Sequence, residues 1–276
     1  MKKLLAALFI TPLLASAAGL APSLTTTAVW ESNVSNADRA SDIIGAFQLR
    51  AELASTHRIS LGRDDSLLIG GRLAAEASPR FTDLGRAEFG PTLAWAHKFG
   101  LGPFAPVVSV ELAAGGVAAR DSRRSGLAGS AALAWRQRLD ESTRFSVTYE
   151  RARHDARATL FDRTGEEGSL GVTRDLASDW SLNATVRYRR GDVLAFATPP
   201  RADLVALAKI RELNSAFGRP LIAYSLDAHT LGGALALNRT LGAATTLTLG
   251  YEYRGTTRQP VRYVNHLVSV ALTRQF

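Results

Sequence analysis

The sequence predicts an all-β fold, a transmembrane antiparallel up-and-down β-barrel of about twelve strands. Three observations carry that expectation. Apolar residues recur at every second position through most of the chain. Beyond the N-terminus there is no apolar window of about 18 residues, the length a membrane-spanning helix needs. Connections between the alternating segments are tight and long by turns. A chain that crosses lipid must satisfy every backbone N–H and C=O internally, which only helices and closed barrels achieve. With 46% of residues apolar and no spanning helix, a barrel is the remaining membrane solution.

Residues 1–17 read as a cleaved signal peptide. Met1-Lys2-Lys3 is a short positive start, Leu4 to Leu14 is apolar but too short to span a bilayer, and Ala15-Ser16-Ala17 is a small-residue cleavage site. The mature chain, 18–276, is then a single barrel in an oxidising compartment. It contains no cysteine, so neither a disulfide framework nor a thiolate metal site is available to it.

The alternation is clearest in Trp180-Ser181-Leu182-Asn183-Ala184-Thr185-Val186-Arg187-Tyr188-Arg189, where Trp, Leu, Ala, Val and Tyr share one face. It recurs in Phe145–Glu150 and Leu247–Arg254, each time ending in aromatics. The same template places strands at 23–31, 43–56, 66–77, 87–98, 106–118, 126–138, 143–154, 167–175, 180–190, 226–239, 244–254 and 263–276. A soluble sandwich alternates as well, so periodicity alone does not say which face meets lipid.

Loop lengths and aromatics address that question. Transmembrane barrels carry short turns on one side and longer loops on the other. Here 61–65, 99–106, 139–142, 176–179 and 240–243 form the short set, while 31–41, 156–167 and above all 191–225 form the long one. Strict alternation of the two gives an even strand number. Tryptophan and tyrosine gather at lipid–water interfaces. Trp95, Trp135, Phe145 and Trp180 adjoin short turns and predict one girdle. Trp30, Phe47, Tyr149, Tyr188, Tyr251, Tyr253 and Tyr263 lie toward the long loops and predict the other.

In the last segment Val264, His266, Val268, Val270, Leu272 and Phe276 share one parity, and the chain stops on the aromatic Phe276. In this strand the chain resembles the β-barrel proteins of the Gram-negative outer membrane. Arg274 departs from their pattern, because an aromatic or apolar residue is commoner there. The resemblance implies an outer-membrane location, with short turns facing the periplasm and 191–225 forming an external loop. It also implies Phe276 as the signal read by the barrel-assembly machinery, and a small porin-like channel for small solutes. Outer-membrane lipid and lipopolysaccharide are then the expected surroundings.

Function should rest on positions facing the lumen. By parity these include Arg50, Arg72, Lys98, Arg136, Arg138, Arg187, Arg189 and Arg254, with Glu52, Glu76, Glu111, Glu150 and Glu252 on the same face. Of the 33 basic residues all but Lys2, Lys3, Lys98 and Lys209 are arginine, and removing Lys2 and Lys3 from the formal net charge of +8 leaves +6. Arginine's planar fork suits carboxylate and phosphate. A basic lumen favours anions, while arginine and glutamate that neutralise one another would instead close a structural or adhesive barrel. Arg151, Arg153 and Arg190 follow the outer aromatics, at the expected height of lipopolysaccharide phosphates or of a solvated basic rim.

The stretch 191–225 is long for a loop. After Pro199-Pro200, Leu204, Leu207, Ile210 and Leu213 recur every third residue with Asp203 placed to cap, predicting a short amphipathic helix that forms a constriction, a lid or a surface knob. Catalytic patterns are weak. The five histidines have no metal-ligand spacing, His57-Arg58-Ile59-Ser60 has one residue too many for a His-x-Ser site, and Asp227 with His229 reads as a rim pair more than an acid–base site. No catalytic residue, cofactor, metal or nucleic-acid partner is expected; the enzymatic alternative is a hydrolase embedded in the barrel.

Overall fold

A computed structural model describes residues 20–276. The signal peptide expected at 1–17 lies outside the described residues. The fold is one antiparallel sheet closed on itself. Its strands are β1 (Leu20–Glu31), β2 (Ala46–Ser60), β3 (Asp65–Ala77), β4 (Arg86–Lys98), β5 (Val107–Ala119), β6 (Gly126–Arg138) and β7 (Thr143–Ala156). They continue with β8 (Arg163–Ala177), β9 (Trp180–Ala197), β10 (Ile210–Asn214), β11 (Leu221–Thr240), β12 (Thr245–Arg258) and β13 (Val261–Gln275). Neighbours in sequence pair in order, β9 pairs with β11, and β13 returns to β1 from Ser23↔Gln275 to Glu31↔Leu267. Twelve strands therefore close the ring. The thirteenth, β10, hangs on the far end of β11.

The orientation of the apolar face separates a membrane barrel from a sandwich. Leu49, Leu73, Phe89, Leu112, Leu133, Leu170, Val186, Leu231, Leu235 and Val270 are all exposed, and register places them on the outward parity of successive strands. A continuous apolar surface of that extent is stable only in lipid. The opposite parity carries glycine, alanine, serine, threonine and charge, as a watered interior requires.

Several sequence expectations need correction. β8, β9, β11 and β12 run beyond the stretches expected for them chiefly at the ends away from the short turns, whereas β2, expected at 43–56, starts at Ala46 and gains its extra residues at the short-turn end, up to Ser60. The external connection narrows from 191–225 to 198–220. Within it only Ala202–Leu207 is helical (α1), and Ile210 and Leu213 belong to β10. Asp203 does not cap the helix, since Arg201 stands at the N-cap and Asp203 instead grips its guanidinium. Loop length does not alternate strictly either, because Gln259-Pro260 alone joins β12 to β13 on the long-loop side. What distinguishes that side is a single 3-10 turn in each of four connections, at Ala40–Asp42, Thr82–Leu84, Ser122–Arg124 and Thr159–Phe161.

The buried apolar core lies across the external mouth. Above Gly191 strand β9 loses β8 as a partner, and above His229 strand β11 loses β12, so the two continue as a ribbon paired with each other through Ile222↔Ala197. Gly191 has φ +148°, and a Cβ there would stand 2.3 Å from the Thr164 carbonyl oxygen, so this departure from the wall requires glycine. The ribbon then spans the ring. The Phe196 N–H donates to the Ser35 carbonyl at 2.8 Å, Asn36 Nδ2 donates to the Leu194 carbonyl at 2.8 Å, and the rings of Phe81 and Phe217 meet edge-on at 5.2 Å. Phe81 belongs to the β3–β4 connection, on the far side of the barrel from β9. Phe161, Leu160 and Leu194 complete that cluster, while Leu204, Tyr224, Val261 and Tyr263 form a second one over the β12–β13 turn. The segment 192–228 is thus a lid lying across the mouth.

Candidate functional site

Register puts every expected lumen residue on the inward parity, at three heights. Lys98, Arg136 and Arg138 lie near the short-turn end, where Arg138 donates to the Glu141 carbonyl at 2.8 Å. Glu52, Arg72, Glu111, Glu150, Arg187 and Glu252 stand at mid-height, and Arg50, Glu76, Arg189 and Arg254 lie nearer the lid.

The structure brings only some of these together. Glu252 accepts from Arg254 Nε at 2.7 Å and Nη2 at 3.1 Å, and Arg187 approaches it at 3.4 Å. Arg50 lies 3.7 Å from Glu76 and donates to Gln48 at 2.8 Å. Arg72 pairs with Glu88 at 2.6 Å, a partner that sequence reasoning missed. Arg86 reaches Glu76 at 3.3 Å, and Glu31 accepts from Asn265 and from Gln48. One belt of hydrogen bonds and ion pairs therefore runs over β13, β1, β2, β3 and β4 beneath the lid. Glu111 and Glu150 belong instead to the opposite wall.

That wall is built of small side chains. Its inward positions include Gly90, Thr92, Ser109, Ala113, Ala128, Ser130, Ala132, Ala134, Thr148, Ala152 and Gly165, and beside them opens a cavity of about 540 Å³. Arg72, Glu88, Glu111, Arg136, Glu150, His154, Arg163, Glu167 and Arg189 project into it. The charged belt fills one side of the barrel, and the small residues leave the other side open. A second cavity of about 150 Å³ lies between this space and the lid, roofed by Leu194, Phe196, Phe217 and Phe161.

The missed residues Arg86, Glu88, His154, Arg163 and Glu167 follow from the same period of two. Arg86 and Glu88 share the parity of Lys98, and Arg163 that of Glu167. The lid is held by charge as well as by apolar burial. Arg201, fully buried, donates to both oxygens of Asp38 at 2.7 and 2.9 Å and of Asp203 at 2.9 and 2.7 Å. Asp42 accepts from Thr198 Oγ1 at 2.6 Å and from its N–H at 3.0 Å. Burial alone would raise the Asp42 carboxyl, but those bonds and the charges of Arg219 and Arg201 hold it below its ordinary value.

Of the expected interfacial aromatics, Trp30, Tyr149, Tyr188, Tyr251 and Tyr253 share the outward parity near the lid end. Trp95, Trp135, Phe145 and Trp180 do so near the short turns. Tyr263 breaks the expected set, because it faces inward opposite Thr256 and is buried under the lid. Arg151, Arg153 and Arg190 point outward on β7 and β9, Arg151 lying 4.0 Å from Glu166 and Arg153 2.7 Å from Asp155. His229 and Asp227 also face outward. The first meets the Tyr188 hydroxyl at 2.7 Å through Nδ1, and the second lies opposite Asp192 in the ladder. Phe276 is exposed, its N–H donating to the Pro22 carbonyl at 3.0 Å and its ring under the Arg274 guanidinium at 5.2 Å.

No protein-family model matches the sequence, and no curated protein matches it. Among solved structures the chain is similar to an outer-membrane channel from Pseudomonas putida F1, with a TM-score of 0.63 at 11% identity over 94% of this chain and 96% of that one. It is also similar to the NanC porin, with a TM-score of 0.50 at 8% identity over 92% of this chain and 100% of that one. At such identities the likeness establishes the fold, which is that of an outer-membrane barrel.

Proposed function

We propose that the chain is a narrow outer-membrane channel for small hydrophilic solutes, with a preference for anions and with access governed by the lid. The observation that carries this reading is the cavity of about 540 Å³ beside a wall of glycine, alanine, serine and threonine. A barrel closed for purely structural reasons gains nothing from leaving its interior unpacked, since empty volume forfeits dispersion contacts. Inward arginines exceed inward glutamates, and fixed charge lining a narrow passage selects counter-ions. The solved neighbours, an outer-membrane channel and a porin, support the same reading.

A second reading, a barrel sealed as an adhesive or structural element, is favoured by the buried Arg201 clamp on the lid. Planar-bilayer recording of the refolded mature chain separates the two. The channel gives discrete conductance steps and a reversal potential in a potassium chloride gradient that favours chloride. Replacing both Arg187 and Arg189 by Gln is expected to move that potential toward zero. Silence in the parent, or a potential untouched by the double substitution, decides against an anion-preferring channel.

A further inference from the structure

The small cavity under the lid contains buried polar nitrogens that no group among the described residues satisfies. Arg86, Arg124, Arg163 and His154 converge on it. Arg124 Nε and Nη2, Arg163 Nε and His154 Nε2 are buried without a hydrogen-bond partner among the described residues. The two acids that line the cavity are already engaged: Glu76 is shared by Arg50 and Arg86, and Glu31 is taken by Asn265 and Gln48. Asp121, the acid nearest Arg124, lies 3.8 Å from its Nε but forms its close bonds with Arg123 at 3.0 and 3.0 Å. The Arg124 side chain is only 16% exposed and stacks on the Phe161 ring at 4.7 Å, which fixes the guanidinium plane. Burial presses this guanidinium below its ordinary value, Arg123 and Arg86 add to the effect, and Asp121 and Asp83 oppose it.

Leaving buried guanidinium donors of Arg124 and Arg163 unpaired is costly, and the cost falls when a ligand carrying negative oxygens supplies the missing acceptors. We infer that the cavity bounded by Arg86, Arg124, His154 and Arg163 is an oxyanion site for a phosphate or carboxylate group held under the closed lid. Its roof of Leu194, Phe196 and Phe217 belongs to the lid and its floor opens toward the larger cavity, with which it shares His154 and Arg163. A bound oxyanion neutralises the repulsion between guanidinium groups directly beneath the lid, so binding and lid closure reinforce one another.

The inference deepens the channel reading by naming the class of solute retained, but its test needs no conduction. Titration calorimetry of the folded mature chain in detergent, in chloride buffer, is carried out with inorganic phosphate and separately with acetate. One saturable site is expected. Preference for phosphate marks a phosphorylated solute, and preference for acetate a carboxylated one. Arg163→Gln is expected to weaken binding at least tenfold, Arg124→Lys to weaken it less because charge survives without the planar fork, and the outward Arg262→Gln to leave it unchanged. Heat-modifiable gel migration confirms that each variant is folded. Should Arg163→Gln not fold, Arg124→Gln in the same titration decides, with the same tenfold loss expected. Heats no greater than those of added chloride mean that water fills the cavity and overturn the site, as does binding that the arginine substitutions leave intact. A chain that binds phosphate yet never conducts keeps the site and loses the channel, whereas one that conducts without binding does the reverse.

Discussion

Arg201 shows how far a single side chain can determine the state of this barrel. A fully buried guanidinium is tolerable only with its charge paired and its donors satisfied, and Asp38 and Asp203 together provide both. One carboxylate belongs to the lid and the other to the β1–β2 connection, so the pair fastens the lid to the rim. Arg201→Gln removes the charge and leaves two acids facing one another. The expected cost is about 3 kcal/mol, toward the low end for a buried pair because both carboxylates still reach solvent. Hydrogen exchange of lid amides should accelerate by roughly a hundredfold, with the barrel strands unaffected. Exchange equal to the parent's would show that apolar packing alone holds the lid. The hydrogen bonds from Arg201 hold the Asp203 carboxyl down at about 2, against the opposing effect of burial. A depressed carboxyl contributes its stability above its ordinary value and loses it as pH falls through the depressed one. Lid protection should therefore be level from pH 8 to about pH 4 and decline only toward pH 2.

Among the elements, strands were legible where one face meets lipid and the other water, because that contrast writes a period of two into the sequence. The reading failed where the contrast ends. Leu194, Phe196, Leu221 and Ala223 are buried, and so are Ala195, Ala197, Tyr224 and Leu226 on the opposite face, so the ribbon is a continuous apolar run that lacks the contrast marking a strand. Arg163 was missed for a related reason, since β8 was expected to begin only at 167. Tyr263 has the composition of an interfacial residue, and only the lid above it makes the inward position apolar. The last strand raises a different issue. Its outward row from Val264 to Leu272 ends in the exposed Phe276, which closes no core and whose ring meets the Arg274 guanidinium, so a role in assembly rather than in packing is the expectation to test. Deleting Phe276 should leave the folded barrel's thermal midpoint within about 2 °C, since a surface truncation costs only about 0.5 kcal/mol. The membrane-inserted, heat-modifiable fraction in cells should nevertheless fall severalfold. Unchanged insertion would remove Phe276 as the recognition element.

For the whole molecule, the question is whether the lid moves. The ring of twelve strands has no free edge, so its wall is held by a closed ladder of backbone hydrogen bonds and resists bending. The ribbon above Gly191 has no such neighbours, and its hold on the far rim depends on side chains and a few backbone bonds. Motion should therefore be confined to the ribbon, hinged at the Gly165–Gly191 pair, while the lumen keeps its shape. The absence of cysteine in the chain makes this directly testable. Arg123, in the β5–β6 connection, lies 2.6 Å from Glu212 on β10, and both side chains are accessible from outside. A chain carrying Arg123→Cys and Glu212→Cys can be bridged with a short reversible thiol crosslinker that ties the lid to the rim without touching the lumen. In planar bilayers the bridged barrel should lose nine-tenths or more of its conductance and recover it on reduction, and either single cysteine should be indifferent to the reagent. If bridged and reduced barrels conduct equally, solutes pass beside the lid and the ribbon is a fixed cap. If neither conducts while Arg201→Gln does, the clamp keeps the resting channel shut and lid opening is the step that limits passage.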